Sequence, residues 1–206
     1  PFRLVLDSGA NHSAVTAKVA ESLGLSLSDF PPVRLRGVTG TAVTPAIRVD
    51  SLAVGDLLLG TSILPIVADA FGGAEGLLGT DGLADKRIYS DFRNDFINIS
   101  RSKSRPAEPG FATSPMQRRA GKLLVVRARV GNVRALAIID TGAQASVANL
   151  ALREALDRPR RAGTGSHDEI TGATGAMQVG EGRQISPISI GDIEIYGAHV
   201  TFGDMD

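Results

Sequence analysis

Two apolar runs in this chain each lead into an aspartate followed by a glycine-containing turn. Leu4–Leu6 precedes Asp7–Ala10, and Ala137–Ile139 precedes Asp140–Ala143. A short apolar run bounded by glycine is typical of a buried strand. An isolated charge is costly to bury at the end of such a strand, whereas two carboxylates that face each other can share a proton. We therefore predict that Asp7 and Asp140 meet and form an acid–base pair.

The pattern after the two aspartates repeats in the same order. The aspartates are 133 positions apart, the glycine-rich stretches Gly37–Gly40 and Gly172–Gly175 are 135 apart, and two Gly-Asp pairs (at 55 and 191) are 136 apart. Each half reads as strand, Asp-hydroxyl-Gly turn, short helix, glycine-rich hairpin, strand, Gly-Asp hairpin and strand. A lone Asp-Ser-Gly is commonly an ordinary turn. The ordered repeat favours a paired site over the alternative, two structural turns in a duplicated β domain.

Short helical patterns follow both aspartate turns. Residues 17–23 and 150–156 are predicted helices, with Thr16 and Asn149 as their N-caps. All other apolar segments are short and flanked by turn residues, so the predicted fold class is all-β.

The amino-acid composition excludes several kinds of functional site and partner. Of the 206 residues 43% are hydrophobic, which is enough for a core, and 24 are glycine, as many tight turns require. The 22 basic and 22 acidic residues cancel, so nothing indicates a nucleic-acid partner. Cysteine is absent, which excludes disulfides, zinc–thiolate sites and a cysteine nucleophile. The three histidines lack ligand-type spacing, so we expect no metal and no cofactor.

Residues 101–121 differ from the rest of the chain. They are rich in Arg, Lys, Ser and Pro and have almost no apolar periodicity, so we predict a linker between an N-terminal domain (1–100) and a C-terminal domain (122–206). The second domain has no counterpart of Leu77-Leu78-Gly79 or of the hairpin after it. We therefore expect a truncated second domain with an exposed edge near Ile195–Phe202, covered by the linker or by a second copy in a homodimer.

The ordered motifs resemble those of the aspartic peptidases of the pepsin and retropepsin clan, above all bacterial retropepsin-like members. The resemblance rests on Asp7-Ser8-Gly9-Ala10, residues 35–40, residues 77–79, the hairpin 89–99, Asp140-Thr141-Gly142-Ala143 and residues 170–175. It implies two retropepsin-like β-barrel lobes related by a pseudo-twofold axis, each with one or two short helices. Asn11 and Gln144 stand where retroviral enzymes carry an acid.

The resemblance also implies a role for each site residue. Asp7 and Asp140 are the expected catalytic pair, and Ser8, Gly9, Thr141 and Gly142 the expected supports of their loops. The expected flaps, hairpin tips that fold over the substrate, are Gly37, Val38, Thr39 and Gly40 in one lobe and Gly172, Ala173, Thr174 and Gly175 in the other.

The predicted function is an aspartic endopeptidase that acts on a polypeptide substrate. The alternative is a non-catalytic pair of lobes used for peptide binding or dimerisation. No apolar run in the sequence is long enough to span a bilayer, and no signal peptide is visible. A targeting or tethering segment could have been removed from the chain without changing either observation. From the bacterial resemblance we expect a periplasmic or secreted protein.

Overall fold

A computed structural model describes residues 1–103, 106–119, 121–157 and 165–205. Over these residues the chain forms twenty strands and two helices, so the all-β, two-lobe prediction is confirmed. Residues 104, 105 and 120 of the predicted linker lie outside the described residues.

The first lobe is built around a five-stranded sheet with the order β1-β9-β2-β8-β5. Three hairpins form separate two-stranded sheets beside it: β3–β4, β6–β7 and β10–β11. The elements are β1 (Leu4–Leu6), β2 (Ala14–Thr16), α1 (Ala17–Ser22), β3 (Val33–Gly37), β4 (Gly40–Thr44), β5 (Ala46–Val49), β6 (Leu52–Val54), β7 (Leu57–Leu59), β8 (Ser62–Val67), β9 (Gly76–Leu78), β10 (Lys86–Asp91) and β11 (Phe96–Arg101).

The second lobe contains two sheets. One has the order β15-β20-β17-β16; in the other, β13 pairs with β12, β14 and β18, and β18 pairs with β19. The elements are β12 (Met116–Arg119), β13 (Leu123–Val130), β14 (Val133–Ile138), β15 (Ser146–Asn149), α2 (Leu150–Asp157), β16 (Ser166–Thr171), β17 (Met177–Gln184), β18 (Ile188–Ile190), β19 (Ile193–Ile195) and β20 (His199–Gly203).

The strand registers of the two lobes repeat at the offsets found in the sequence. Val15 lies opposite Ile66 in the parallel pair β2–β8, and Ala148 lies opposite Phe202 in the parallel pair β15–β20. The antiparallel partner of β8 is β5, and that of β20 is β17. Because the same residues of each repeat face each other, the repeat is one of three-dimensional structure as well as of sequence.

The first lobe has the better-formed core. Alternating strand residues and one face of α1 bury a cluster that includes Val15, Val19, Ile47 and Leu64, each 3% exposed or less. In the second lobe Phe202 is almost fully buried and lies under the guanidinium group of Arg183, 5.0 Å from the ring centre. Helix α2 has no buried residue among those described, so it covers its sheet more loosely.

The two predicted helix caps differ in the structure. Asn149 Oδ1 accepts a hydrogen bond from the backbone N–H of Leu152 (3.0 Å), as an N-cap requires. Thr16 occupies the N-cap position of α1, but its side chain makes no capping bond, so the prediction is wrong for this side chain. Its hydroxyl is buried and has no hydrogen-bond partner among the described residues.

The structure corrects two expectations, one about the linker and one about the exposed sheet edge of the second lobe. Residues 116–119 of the predicted linker are a strand of the second lobe, because they pair as β12 with β13. The expected open edge at Ile195–Phe202 is wrong for its second part, since β20 lies between β15 and β17. Strand β19 does lie at a sheet edge, but β12 pairs elsewhere and does not cover it.

Gly79, just after β9, is closed in by backbone. A Cβ at this position would lie 2.5 Å from the carbonyl carbon of His12 and 2.7 Å from its oxygen. We expect Gly79→Ala to lower the free energy of unfolding by about 1–3 kcal/mol, because backbone cannot swing aside as a side chain can. Gly60→Ala is the matched control, since a Cβ there meets nothing within 4 Å. Urea denaturation of both variants measures the difference, and equal midpoints would contradict the prediction.

Candidate active site

The two predicted aspartates meet. Asp7 directly follows β1, and Asp140 lies two residues after the end of β14. The two side chains are close enough for the negative charge of Asp140 to act on the Asp7 carboxyl group. The repeat therefore places one acidic side chain from each lobe in a single site.

Each carboxyl group packs against the glycine of the opposite loop. A Cβ on Gly142 would lie 2.6 Å from Asp7 Cγ, and a Cβ on Gly9 would overlap the Asp140 carboxyl group. No larger residue fits at either position without moving an aspartate. Gly9 and Gly142 were predicted as loop supports, and the structure shows that their contribution is this absence of a side chain.

The hydroxyl residues after the aspartates bind the two loops together reciprocally. The Ser8 N–H donates to Thr141 Oγ1 (3.1 Å), and the Thr141 N–H donates to Ser8 Oγ (3.1 Å). Each hydroxyl in turn donates to a backbone carbonyl of the other lobe, Ser8 to that of Ile139 (2.6 Å) and Thr141 to that of Leu6 (2.7 Å). Four hydrogen bonds across the lobe boundary therefore fix the relative position of the two aspartates.

The two carboxyl groups have different surroundings. Burial, followed by the negative charge of Asp140 and the hydrogen bond with it, raises the pKa of Asp7 to about 6. Backbone N–H groups of Gly9 and Ala10 act in the opposite direction. Asp140 accepts hydrogen bonds from the N–H groups of Gly142 (2.8 Å) and Ala143 (3.2 Å) and is exposed. This asymmetry favours Asp7 as the carrier of the shared proton at pH values below about 6.

The predicted flaps are hairpin tips, as expected from their sequence. Residues 37–40 join β3 to β4, and residues 172–175 join β16 to β17. The tips touch, with Thr39 Oγ1 and Thr174 Oγ1 3.3 Å apart. A Cβ on Gly37 would lie 3.7 Å from the Ala173 nitrogen. Val38, at the first tip, is 40% exposed.

The second tip reaches across to the first lobe. Ala173 packs against the buried cluster of Ala14, Val67 and Leu77, which also contacts Val5 and Ala10 beside the first aspartate. A Cβ on Gly175 would lie 3.2 Å from the Ala68 side chain. The two tips therefore lie together on the side of the molecule that carries the first aspartate loop.

One contact near the site was not predicted. The side-chain oxygen of Asn11 accepts a hydrogen bond from the Lys122 N–H (2.7 Å), just before β13 begins. A neutral amide thus ties the first aspartate loop to the second lobe at the position where retroviral enzymes have an acid. Sequence comparison marked Asn11 as a departure but gave no partner for it, because the contact joins positions 111 residues apart.

One histidine belongs to a hydrogen-bonded cluster that its sequence spacing did not indicate. His199 Nε2 lies 2.7 Å from Asp168 Oδ2, and Asp168 also accepts hydrogen bonds from the hydroxyls of Ser166 (2.7 Å) and Thr201 (2.8 Å). These bonds, led by that of His199, lower the pKa of Asp168 to about 2. The described part of the chain has no group of three or more His, Cys, Asp or Glu side chains arranged to hold a metal ion.

Comparison with known proteins agrees with the two-lobe arrangement. A family model described as aspartyl protease matches residues 1–81 and, separately, residues 126–206. The two matched segments each contain one of the paired aspartates. None of the curated proteins compared with the chain matches it significantly. Within the described ranges, neither helix combines the length and the apolar character that crossing a bilayer requires.

Proposed function

The chain belongs to the aspartyl protease family, and we propose that it is an aspartic endopeptidase in which Asp7 and Asp140 together activate a water molecule. The observation that carries the proposal is the juxtaposition of the two aspartates, whose carboxyl groups each lie against the glycine of the opposite loop. Four hydrogen bonds between the loops support it, because they hold the pair in place before substrate arrives.

The proposed reaction needs the pair to hold one proton. The ionised carboxylate takes a proton from the water as the water oxygen attacks the peptide carbonyl carbon. The protonated carboxyl group, assigned to Asp7, gives its proton to the carbonyl oxygen, and a tetrahedral diol forms. Asp140, which now holds the proton taken from the water, passes it to the peptide nitrogen. As the C–N bond breaks, one hydroxyl of the diol returns its proton to Asp7, so the pair again holds one proton. The balance closes with the addition of one water.

The proposed substrate is an extended polypeptide. Both hairpin tips offer backbone N–H and C=O groups, and an extended segment beneath them can add as a further strand. Side chains near the tips, such as Val38 (40% exposed), then contact alternate residues of the substrate. We propose no nucleic-acid partner, since the formal charge of the chain is zero.

The compartment and the assembly are part of the same proposal. On the resemblance to bacterial retropepsin-like proteins, we propose a periplasmic or secreted location, a membrane tether through a segment outside this sequence, and association into a homodimer. Cell fractionation and sedimentation of the full-length protein test these points. A cytoplasmic monomer would contradict them.

A second function is favoured by one observation. The Asp140 loop is exposed, whereas Asp7 is half-buried and Ser8 is buried. A pair of lobes that binds peptides without cutting them would tolerate this looser second loop. The two functions differ in a single result, the appearance of cleaved products.

The test is digestion of a proteome-derived peptide library, followed by kcat/KM measurements across pH on one cleaved peptide. Because the active pair holds one proton, we expect a bell-shaped profile. The pKa of Asp7 is raised to about 6, so activity is expected to fall as pH rises through that value and the shared proton is lost. The acid limb marks uptake of a second proton by the pair.

A pepstatin-type inhibitor serves as the control and should block cleavage, while a metal chelator should leave it unchanged. A flat profile, or loss of activity with the chelator alone, would contradict the dyad mechanism. No cleavage of any library peptide between pH 3 and 8 would favour the binding function.

A further inference from the structure

The two hairpins that carry the tips are joined to their lobes in different ways. We call β3–β4 the first hairpin and β16–β17 the second hairpin. The second hairpin belongs to the same four-stranded sheet as β15 and β20, whereas the first forms a two-stranded sheet of its own. Pro45, which has no N–H to donate, separates β4 from β5, but the equivalent strand β17 runs unbroken from Met177 to Gln184. The second hairpin therefore continues the main sheet of its lobe.

A carboxylate ties the outer strand of the second hairpin to the middle of that sheet. Asp168 of β16 lies opposite Gly180 of β17, and its side chain crosses β17 to reach β20. There Asp168 Oδ2 accepts a hydrogen bond from the Thr201 hydroxyl (2.8 Å) and lies 2.7 Å from His199 Nε2. Because the pKa of Asp168 is lowered to about 2, the carboxylate is ionised and can only accept, so the His199 nitrogen is the donor.

The crossing needs a residue without a side chain between the two outer strands. Gly182 of β17 lies opposite Thr201, and a Cβ on it would overlap the Asp168 carboxylate and lie 2.5 Å from His199 Nε2. Any larger residue would push the carboxylate away from both partners. Thr201 is 4% exposed, so the bond to its hydroxyl is shielded from water and is strengthened by the low local dielectric.

The first lobe lacks these bonds. The residues that occupy the same places in its strand registers are all apolar, namely Val33, Ile63 and Pro65. The inner strand β4 is tied through the Thr44 hydroxyl, which donates to the Ile66 carbonyl. Among the described residues, the outer strand β3 has no side-chain hydrogen bond across its hairpin that matches those of Asp168. The outer strands of the two hairpins are therefore held differently at their bases.

The other face of β17 is also held. Glu181 forms an ion pair with Arg153 of α2, and Arg183 lies 2.7 Å from Asp157 of the same helix. Because successive strand residues point to opposite faces, these pairs act on the side away from the Asp168 crossing. The helix and the carboxylate together fix the base of the second hairpin from both sides.

We propose that Asp168 is a positioning residue that holds the second hairpin in place, so that substrate reaches the paired aspartates through movement of the first hairpin. The contact between Thr39 and Thr174 is lost whichever tip moves, so it favours neither. Each hairpin also packs on the buried cluster of the first lobe, one through Leu35 and the other through Ala173. The difference between them lies at their bases. The statement about substrate rests on the proposed function, whereas the statement about the fixed hairpin does not.

Hydrogen exchange tests the fixed hairpin without any cleavage. In the parent protein we expect the amides of residues 34–43 to exchange about tenfold or more faster than those of residues 169–178, because opening the second hairpin also breaks hydrogen bonds to a charged group. Asp168→Asn should remove most of this difference by speeding exchange in the second hairpin, while β13 keeps its parent rates. Glu169→Gln, the exposed neighbour on the same strand, also removes one negative charge and is the matched control.

His199→Ala provides a second variant, because it removes one exposed donor and leaves the carboxylate in place. It should change exchange in the second hairpin in the same direction but to a smaller extent. Equal exchange in the two hairpins of the parent protein would overturn the proposal. So would unchanged exchange in the Asp168→Asn protein, or faster exchange throughout it, which would indicate a general loss of stability.

Kinetics on a cleaved library peptide test the statement about substrate. Asp168→Asn is expected to raise KM about tenfold and to leave kcat within about twofold, since a loosened hairpin weakens binding and not proton transfer. An equal fall in kcat and kcat/KM would mean that Asp168 acts on the aspartate pair, and the positioning role would be wrong. If no peptide is cleaved, the proposed function fails, and the exchange rates still decide whether the second hairpin is fixed.

Discussion

Asp7→Asn and Asp140→Asn are each expected to lower kcat/KM by about a thousandfold or more. Each substitution leaves an amide that neither accepts a proton from water nor donates one to the carbonyl oxygen, and acid–base catalysis of this kind contributes about 10²–10⁴-fold per group. An amide has nearly the same size as a carboxyl group, so the fold should be kept. The measurement is the cleavage rate of a library-derived peptide, with circular dichroism to check the fold.

Mixing the two inactive variants distinguishes a site within one chain from a site between chains. Because the bonds of Ser8 and Thr141 join loops of the same chain, we expect the mixture to stay inactive. Recovery of activity would mean that the pair forms between two copies. Asp56→Asn, an exposed aspartate in the β6–β7 turn, is the matched control and should keep full activity.

Gly142→Ala is expected to lower kcat/KM by about a hundredfold without altering either carboxyl group chemically. The added Cβ would lie 2.6 Å from Asp7 Cγ, so the two loops must move apart, and a displacement of about 1 Å in an active site costs on the order of 10²-fold. Gly60→Ala, where a Cβ meets nothing within 4 Å, is the control.

The pH profile of the Gly142→Ala variant separates this mechanism from simple unfolding. The charge of Asp140 is one cause of the raised pKa of Asp7. Moving the carboxyl groups apart weakens that effect, so the pKa of Asp7 should fall and the alkaline limb should shift to lower pH. An unshifted limb with reduced amplitude would indicate loss of folded protein and would contradict the steric account.

The pairing of the aspartates was predictable because the repeat is ordered. Equal offsets for the acidic turns and the hairpin tips imply that equivalent strands lie in equivalent places, so Asp7 and Asp140 had to meet if the lobes face each other. The roles of Ser8 and Thr141 as loop supports followed from the family resemblance. The structure adds the bonds involved, in which the N–H of each residue donates to the hydroxyl of the other.

Other features of the structure leave no recognisable pattern in the nearby sequence. Strand β12 could not be predicted, because all four of its residues are exposed and its register depends on the backbone of β13. The bond between Asn11 and Lys122 joins distant positions and follows no pattern of charge. The central place of β20 could have been inferred from the repeat, since its equivalent β8 lies between β2 and β5.

The two hairpin tips belong to one chain, and this has a consequence for engineering. In a site assembled from two identical subunits, any substitution is made twice, and both sides of the cleft change together. Here each tip is encoded once and separately, so one can be changed without the other. The first tip contains Val38 and Thr39, and the second contains Ala173 and Thr174. Under the proposed function, libraries that randomise one tip while the other stays fixed can therefore select for substrate residues on one side of the scissile bond at a time.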